Sequence, residues 1–215
     1  MRLNAIIDPA RAGGHNIADL ARRVAEGGAT LVQLRDKMSE TRVMVDQARA
    51  IQAALAPFKV AFVVNDRVDV ALAAHADGVH LGQDDMAVTD ARALLGPDAI
   101  IGLSIKTVDE AAIAPIELFD YAGVGGVYAT LSKTQKTAPI GTDGLARIAN
   151  ELRSRAPKLP VAGIAGIDAD NAAAVIAAGA DGVAVISALS LVQDPAAAAR
   201  ALREVVDAML AKRGT

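Results

Sequence analysis

Residues 75–82 read His-Ala-Asp-Gly-Val-His-Leu-Gly, in which a break of small residues opens a short apolar run. The same pattern returns at 27–35, 118–125 and 179–186, and further apolar runs lie between these repeats. Together they predict eight short strands, at 3–7, 31–35, 60–65, 78–82, 100–104, 121–125, 159–164 and 182–186. Segments with helical periodicity follow them, for example at 17–26, 40–55, 144–154, 171–178 and 195–209. This alternation of strand and helix is typical of βαβ units around a parallel sheet.

The alternation of side chains along the predicted strands distinguishes a barrel from an open sheet, because successive strand residues point to opposite faces. One set is apolar and includes Val32, Leu34, Phe62, Val64, Val79, Leu81, Ile101, Leu103, Val124, Val183 and Val185. The other set is polar or very small and includes Gln33, Arg35, Asn65, His80, Gly82, Gly102, Ser104, Gly123, Gly125 and Ala184. A doubly wound open sheet, the alternative, would be apolar on both faces. The pattern therefore favours a barrel with a polar mouth.

The length agrees with one α/β domain. Eight units in 215 residues leave about 27 residues per unit, near the lower end for a (β/α)₈ TIM barrel. We therefore expect a single TIM-barrel domain over residues 1–215, with a last helix at about 195–210 and a short polar tail at 212–215.

Composition excludes several classes of function. The net charge of −3 and an aromatic content of only 2% argue against nucleic-acid binding, which favours a basic surface and stacking side chains. The absence of cysteine excludes disulfides, thiolate metal sites and a cysteine nucleophile. No uncharged apolar run approaches the 18 or so residues that a membrane span needs. We expect a cytoplasmic protein without nucleic-acid or membrane partners.

Polar and charged residues collect where the predicted strands end, which in such barrels is the site of catalysis. In chain order they are Asp8, Gln33, Arg35, Lys37, Asn65, Asp66, Asp85, Ser104, Thr130, Ser132, Lys133, the loop 163–166, Ile186 and Ser187. Several have simpler interpretations: Asp66 could cap the next helix, Asp85 could end an acidic surface loop, and Lys133 could be an exposed loop lysine. His80 points inward below this rim and is predicted to be a hydrogen-bonded interior residue rather than a base.

Two features of the rim indicate phosphorylated ligands. Asp66 and Asp85 lie on neighbouring loops and form an oxygen site suited to Mg²⁺, which takes one or two carboxylates plus substrate phosphates and waters. The glycine loop 163–166 and Ser187 follow the last two strands, where many barrels bind a phosphate. With the cations nearby, these features suggest two ligands, one of them a diphosphate that leaves as magnesium pyrophosphate.

The stretches 32–37, 64–69 and 78–85, read as Val-Gln-Leu-Arg-Asp-Lys, Val-Asn-Asp-Arg-Val-Asp and Gly-Val-His-Leu-Gly-Gln-Asp-Asp, resemble thiamine phosphate synthases. So do 102–104, 130–133 and 179–183, and the resemblance covers nearly the whole chain in the family's order. It implies a transferase that joins hydroxymethylpyrimidine diphosphate to a thiazole phosphate, carboxylated or not, and releases pyrophosphate. In that reaction the aminopyrimidine stabilises a methylene cation, which the thiazole nitrogen captures.

The resemblance also implies roles for individual residues. The pyrimidine diphosphate would be bound by Gln33, Arg35, Lys37, Asn65, Ser104 and Lys133, of which Arg35, Lys37, Ser104 and Lys133 would be catalytic. The thiazole phosphate would be bound by Thr130, Ser132, Gly166, Ile186 and Ser187. Asp66 and Asp85 would hold Mg²⁺ as the cofactor. The expected partners are these small-molecule substrates, and a homo-oligomer is compatible with the sequence.

Departures from the family pattern leave some roles open. The first strand ends Ile7-Asp8-Pro9 rather than in the usual Val-Thr-Asp, and Ala165-Gly166 stands where a Gly-Gly pair is common. Gly126 and Ala129 replace prolines that many members carry. Two rival functions remain at this point: a thiazole tautomerase-like isomerase, which would want a general base near Ser104, and a non-catalytic barrel that binds a phosphorylated ligand.

Overall fold

The computed structural model describes residues 1–130, 132 and 138–214. Within these residues, eight parallel strands close into a barrel in sequence order, because β1 pairs with both β2 and β8. The strands are β1 Leu3–Ile7, β2 Leu31–Leu34, β3 Ala61–Asn65, β4 Gly78–Leu81, β5 Ile100–Ile105, β6 Tyr121–Gly125, β7 Val161–Ile164 and β8 Gly182–Val185. The predicted TIM barrel is confirmed, and the open doubly wound sheet is wrong.

Helices follow the strands and cover the outside of the barrel. They are α1 Ile17–Glu26, α2 Thr41–Leu55, α3 Val68–Ala74, α4 Val88–Leu95, α5 Val108–Ile113, α6 Gly141–Arg155, α7 Ala172–Ala177, α8 Ser187–Ser190 and α9 Pro195–Arg213, and a 3₁₀ turn spans Pro9–Arg11. α1 begins where Asn16 accepts hydrogen bonds from the N–H groups of Ala18 and Asp19. Among the described residues, no helix combines the length and apolarity needed to cross a membrane.

The last helix corrects the predicted polar tail. α9 continues to Arg213, past the expected end near residue 210, so Lys212 and Arg213 are helical. The guanidinium of Arg213 donates hydrogen bonds to the Ala180 carbonyl and to Asp181, at 2.9 and 2.6 Å, and these contacts hold the final turn against the barrel. Hydropathy could not predict this because the anchoring contacts are polar and distant in sequence.

The two faces of the strands separate as the alternation predicts. The outward set, including Val32, Phe62 and Ile101, is buried in the main core beneath the helices. Burial of each such side chain contributes about 1.5–3 kcal/mol. A smaller cluster of Leu31, Val63 and Tyr121 closes the lower interior of the barrel. The apolar core therefore lies outside and below, and the upper interior is left for polar groups.

The repeated break in the sequence has a structural role at the amino-terminal end of the barrel. The polar residue before each even-numbered strand accepts a hydrogen bond from a backbone N–H at the start of the preceding odd-numbered strand. The pairs are Thr30 with Leu3 (3.1 Å), Asp77 with Phe62 (2.7 Å), Asp120 with Ile101 (2.8 Å) and Asp181 with Val161 (2.9 Å). We call these four contacts the strand ties. They fix neighbouring strands in register, and register determines which side chains face inward.

Replacing Asp77 tests the ties, since its carboxylate, unlike those of Asp120 and Asp181, forms no ion pair with any residue that the structure describes. We expect Asp77→Ala to lower the free energy of unfolding by about 1.5–3 kcal/mol, the range for a hydrogen bond to a charged group. Asp77→Asn keeps an acceptor oxygen and serves as the matched control, with a smaller loss. Urea denaturation measures both. Equal stability of the two variants would contradict a structural role for the tie.

Candidate active site

Asp8 and Arg35 form an ion pair at the rim. They follow β1 and β2, whose parallel pairing brings Ile7 beside Leu34 and so places the next residues close together. Arg35 Nη1 lies 2.5 Å from Asp8 Oδ2, and Asp8 is only 4% exposed. The other Asp8 oxygen accepts a hydrogen bond from the Ala10 N–H at 3.0 Å. The role of Asp8, which the sequence left open, is therefore to hold Arg35 and to begin the turn that follows.

A second charged group joins Lys37 to two carboxylates. Lys37 Nζ donates a hydrogen bond to Asp66, whose carboxyl group lies within hydrogen-bond reach of Asp85. Burial and the neighbouring Asp85 raise the pKa of Asp66 to about 6, although Lys37 opposes this shift. Burial acts to raise the pKa of Asp85, but hydrogen bonds from Asp66 and from the Gly82 N–H outweigh it, so this pKa lies below its ordinary value. Two adjacent carboxylates that compete for one proton form a site that favours a cation.

The donor set at these carboxylates fits Mg²⁺. Among residues 1–130, 132 and 138–214, no group of three or more acidic, histidine or cysteine side chains lies close enough to enclose a metal. Mg²⁺ needs only one or two carboxylates when substrate phosphates and water complete its shell. The alternative role for Asp66 is wrong: Arg67 occupies the N-cap position of α3, without a side-chain cap bond, and Asp66 stands before it with φ of +62°.

A hydrogen-bonded chain crosses the barrel below the rim. Ser104 Oγ lies 2.9 Å from His80 Nε2, and His80 Nδ1 lies 3.0 Å from the Tyr121 hydroxyl. Tyr121 also bonds to the side chain of Gln33, and burial raises the pKa of its hydroxyl, so it remains a neutral phenol. The two rings fit because Gly102 has no side chain: a Cβ there would lie 2.1 Å from Tyr121 Cζ and 2.5 Å from His80 Nδ1.

These hydrogen bonds confirm the interior role predicted for His80. They also involve Tyr121, a residue that sequence reasoning missed. Tyr121 connects two predicted pyrimidine-site residues, Gln33 and Ser104, although it starts β6 far from the rim. The available signal was its inward position in β6, opposite Gly102. Asn65, another predicted member of this site, lies half-buried at the end of β3.

The predicted thiazole-phosphate residues come together in one pocket. It is lined by all five of them, Thr130, Ser132, Gly166, Ile186 and Ser187, with neighbours from β7 and β8. Thr130 Oγ1 accepts a hydrogen bond from the Ser132 N–H at 3.1 Å. Ser187 begins α8. The Leu189 N–H donates to the Ile186 carbonyl at 3.1 Å, whereas the N–H groups of Ser187 and Ala188 precede the first hydrogen bond of the helix and can face an anion. The predicted diphosphate residue Lys133 lies outside the described residues.

The loop that carries Gly166 has a left-handed backbone. Ala165 and Gly166 have φ of +82° and +66°. Glycine suits position 166 because a Cβ there would lie 2.4 Å from the Ala129 carbonyl oxygen. Tyr128 N–H donates to the Ala165 carbonyl at 3.1 Å, so the loops after β6 and β7 are joined beside the pocket. The alanine at 165 is therefore held in a conformation that its side chain disfavours.

Cations, a carboxylate pair and a separate pocket whose described lining is uncharged lie on the carboxyl-terminal rim, and together they define a barrel enzyme for phosphorylated small molecules. Comparison with known proteins is more specific. Residues 3–189 match the family model described as thiamine monophosphate synthase, and the chain belongs to that family.

The similarity to individual members extends over almost the whole chain. The chain is 48% identical over 212 residues to the thiamine-phosphate synthase of Agrobacterium fabrum, and the matched region covers 99% of this chain and 96% of that protein. It is 48% identical over 204 residues to that of Moorella thermoacetica, with 95% of each chain covered. The solved structure of thiamine phosphate pyrophosphorylase from Pyrococcus furiosus is 37% identical, with a TM-score of 0.84, and covers 97% of this chain and 96% of its own.

The strain at residue 165 yields a prediction. Ala165→Gly removes a side chain from a left-handed position, whereas Ala162→Gly makes the same chemical change in regular strand β7. Both lose a buried methyl group, but only the first relieves the left-handed penalty of about 1–2 kcal/mol. We expect Ala165→Gly to be more stable than Ala162→Gly by that amount in thermal and urea unfolding. If both variants lose the same stability, residue 165 is not strained.

Proposed function

We propose that this chain is a Mg²⁺-dependent thiamine-phosphate synthase that joins hydroxymethylpyrimidine diphosphate to thiazole phosphate. The bond between the pyrimidine methylene carbon and the bridging oxygen breaks, and its electron pair leaves with pyrophosphate. The thiazole nitrogen then forms the new bond to that carbon. The observation that carries the proposal is the charged rim beside a separate pocket, uncharged in its described lining, in a chain that belongs to this family.

Arg35 and Lys37 would stabilise the charge that develops on the departing pyrophosphate. Arg35 is suited to this because Asp8 orients its guanidinium before the substrate arrives, and a planar guanidinium can donate two parallel hydrogen bonds to a phosphate. Donors held in place before the reaction stabilise such charge at little reorganisation cost, about 3 kcal/mol for each. Lys133 would join them, as the family resemblance implies.

Asp66 and Asp85 would hold Mg²⁺, which when bound supplies positive charge to the leaving group. The chain prepares this site by fixing Asp85 on the Gly82 N–H at 2.7 Å and by supporting Asp66 with Lys37. Lys37 is half exposed, so it can turn from Asp66 towards a diphosphate.

The remaining rim residues would hold the two rings in line. Gln33, Asn65 and Ser104 would bind the pyrimidine, and the hydrogen bonds through His80 and Tyr121 would keep Gln33 and Ser104 oriented. Thr130, Ser132, Gly166, Ile186 and Ser187 would take the thiazole phosphate. Positioning of this kind replaces acid–base catalysis, because the reaction needs no strong base. The proposal also locates the reaction in the cytoplasm.

The tautomerase alternative is less well supported. It would require a general base at the fifth strand, where this chain has Ser104. The neighbouring His80 lies below the rim, where its two ring nitrogens contact Tyr121 and Ser104. A non-catalytic phosphate sensor would not need the paired carboxylates.

The proposal is tested by incubating the protein with both substrates and Mg²⁺. We expect thiamine phosphate and pyrophosphate in equal amounts, and loss of product when the metal is chelated. No product at any Mg²⁺ concentration would overturn the proposal.

Changes at the carboxylate pair should separate turnover from second-substrate binding. Asp66→Asn and Asp85→Asn should each lower kcat by about 10²–10³-fold, the range for losing one preorganised electrostatic contact. Asparagine tolerates the left-handed backbone at position 66. Thiazole phosphate affinity, measured calorimetrically, should remain. Asp84→Asn, at an exposed neighbouring acid, is the control and should retain activity. Equal loss of thiazole phosphate binding would instead indicate a folding defect.

The role of Asp8 gives a separate prediction. Asp8→Asn keeps an acceptor for the Ala10 N–H but removes the charge that holds Arg35. We expect kcat/KM for the pyrimidine diphosphate to fall about 10–100-fold, matching the loss of a charged hydrogen bond. In a double-mutant cycle with Arg35→Ala the two effects should not add, because both act through one guanidinium. Additive effects would contradict a positioning role.

A further inference from the structure

We infer that Arg11 supplies the positive charge of the thiazole-phosphate pocket and makes that pocket selective for dianionic phosphate monoesters. The inference rests on the proposed function for the identity of the substrate, but the pocket and its charge can be tested with simpler phosphates. Nothing in the sequence motifs pointed to Arg11, which lies on the turn after β1.

Arg11 lines the outer part of the phosphate pocket. An open cavity of about 480 Å³ is lined by Arg11 together with Thr130, Ser132, Gly166 and Ser187. The same four residues also line the smaller inner pocket between β7 and β8, so the two form one continuous cleft. Small-molecule sites commonly measure 300–1,000 Å³. The outer part of the cleft therefore has room for a phosphate and for the arm that carries it, beside Arg11.

The charge of this cleft requires a cation. Among the residues that the structure describes, the inner lining is uncharged, and the outer lining adds one acid, Asp168, and one base, Arg11. The Asp168 carboxylate accepts hydrogen bonds from the N–H groups of Asp170 and Asn171, so it is committed to the loop before α7. A phosphate dianion that approaches Asp168 is repelled unless a cation compensates. Within the described part of the chain Arg11 has no ion pair and is exposed, so its guanidinium is free to do so.

The backbone that carries Arg11 is anchored on both sides. Asp8 holds the start of the turn, because its carbonyl accepts a hydrogen bond from the Arg11 N–H at 2.8 Å. After the turn, Gly13 packs so closely on α8 that a Cβ there would lie 2.4 Å from the Ser190 carbonyl oxygen. His15 Nε2 then lies 3.0 Å from the Val192 carbonyl oxygen. The turn is therefore fixed against the helix whose first residue, Ser187, lines the pocket.

This arrangement gives Asp8 a second function. One of its oxygens orients Arg35 on the diphosphate side, and its backbone and other oxygen begin the turn that presents Arg11 on the phosphate side. A single buried carboxylate thus positions one arginine for each proposed substrate.

The test compares Arg11→Gln, Arg11→Lys and a control, Arg147→Gln, which makes the same charge change at an exposed position of α6. At saturating pyrimidine diphosphate, we expect Arg11→Gln to raise KM for thiazole phosphate about 10–100-fold, with a much smaller change in kcat. Arg11→Lys should be intermediate because lysine keeps the charge but not the planar donors. The control should match the parent protein.

Binding measurements distinguish a charge contact from a structural role. Calorimetry with ethyl phosphate should show weaker binding to Arg11→Gln and a reduced dependence on salt, whereas the unphosphorylated thiazole alcohol should bind both proteins equally. The inference is overturned if Arg11→Gln leaves both the KM for thiazole phosphate and the affinity for ethyl phosphate unchanged. It is also overturned if the variant weakens binding of the thiazole alcohol as much as binding of ethyl phosphate. If the parent protein forms no thiamine phosphate yet Arg11→Gln loses ethyl phosphate binding, the proposed function fails and the charge assignment stands.

Discussion

The strand ties at the amino-terminal end of the barrel set the register on which the site depends. Each tie connects the polar residue before an even-numbered strand to the start of the preceding strand, as Asp77 does with Phe62. A shift of one residue would turn every side chain of a strand to the opposite face. Apolar residues would then line the mouth, and Gln33, His80 and Ser104 would lie under the helices. The contacts at one end of the barrel thus determine the chemistry at the other.

Above the ties, the interior changes from apolar to polar in the direction of the active site. Leu31 and Val63 close the bottom, and the rings of Tyr121 and His80 occupy the next level in the space left by Gly102. Buried polar groups are costly unless they are hydrogen-bonded, and these two bond to each other and to residues at the rim. The interior therefore holds Gln33 and Ser104 through hydrogen bonds from below, an arrangement suited to positioning bound groups.

The sequence allowed the barrel and the general location of the site to be predicted, because both follow from local patterns. Alternation in strands such as 78–82 reveals which face is buried, and strand ends lie within a residue or two of their predicted positions. The features that the sequence did not reveal depend on contacts between residues that are distant along the chain. The roles of Asp8 and Tyr121 arise from partners 27 and 41 positions away, Arg35 and His80. The capping role considered for Asp66 failed because the chain there adopts a left-handed conformation that no pattern predicts.

In the proposed reaction, the rim would stabilise the diphosphate as it leaves a carbon atom, and the second pocket would present the nucleophile. The most direct measurement follows the oxygen that bridges the pyrimidine methylene and the diphosphate, labelled with ¹⁸O. If the carbon–oxygen bond breaks, all of the label appears in pyrophosphate and the thiamine phosphate carries none. Label in free hydroxymethylpyrimidine, with phosphate transferred elsewhere, would show cleavage of a phosphorus–oxygen bond. That result would contradict the role of the rim residues in stabilising a departing pyrophosphate.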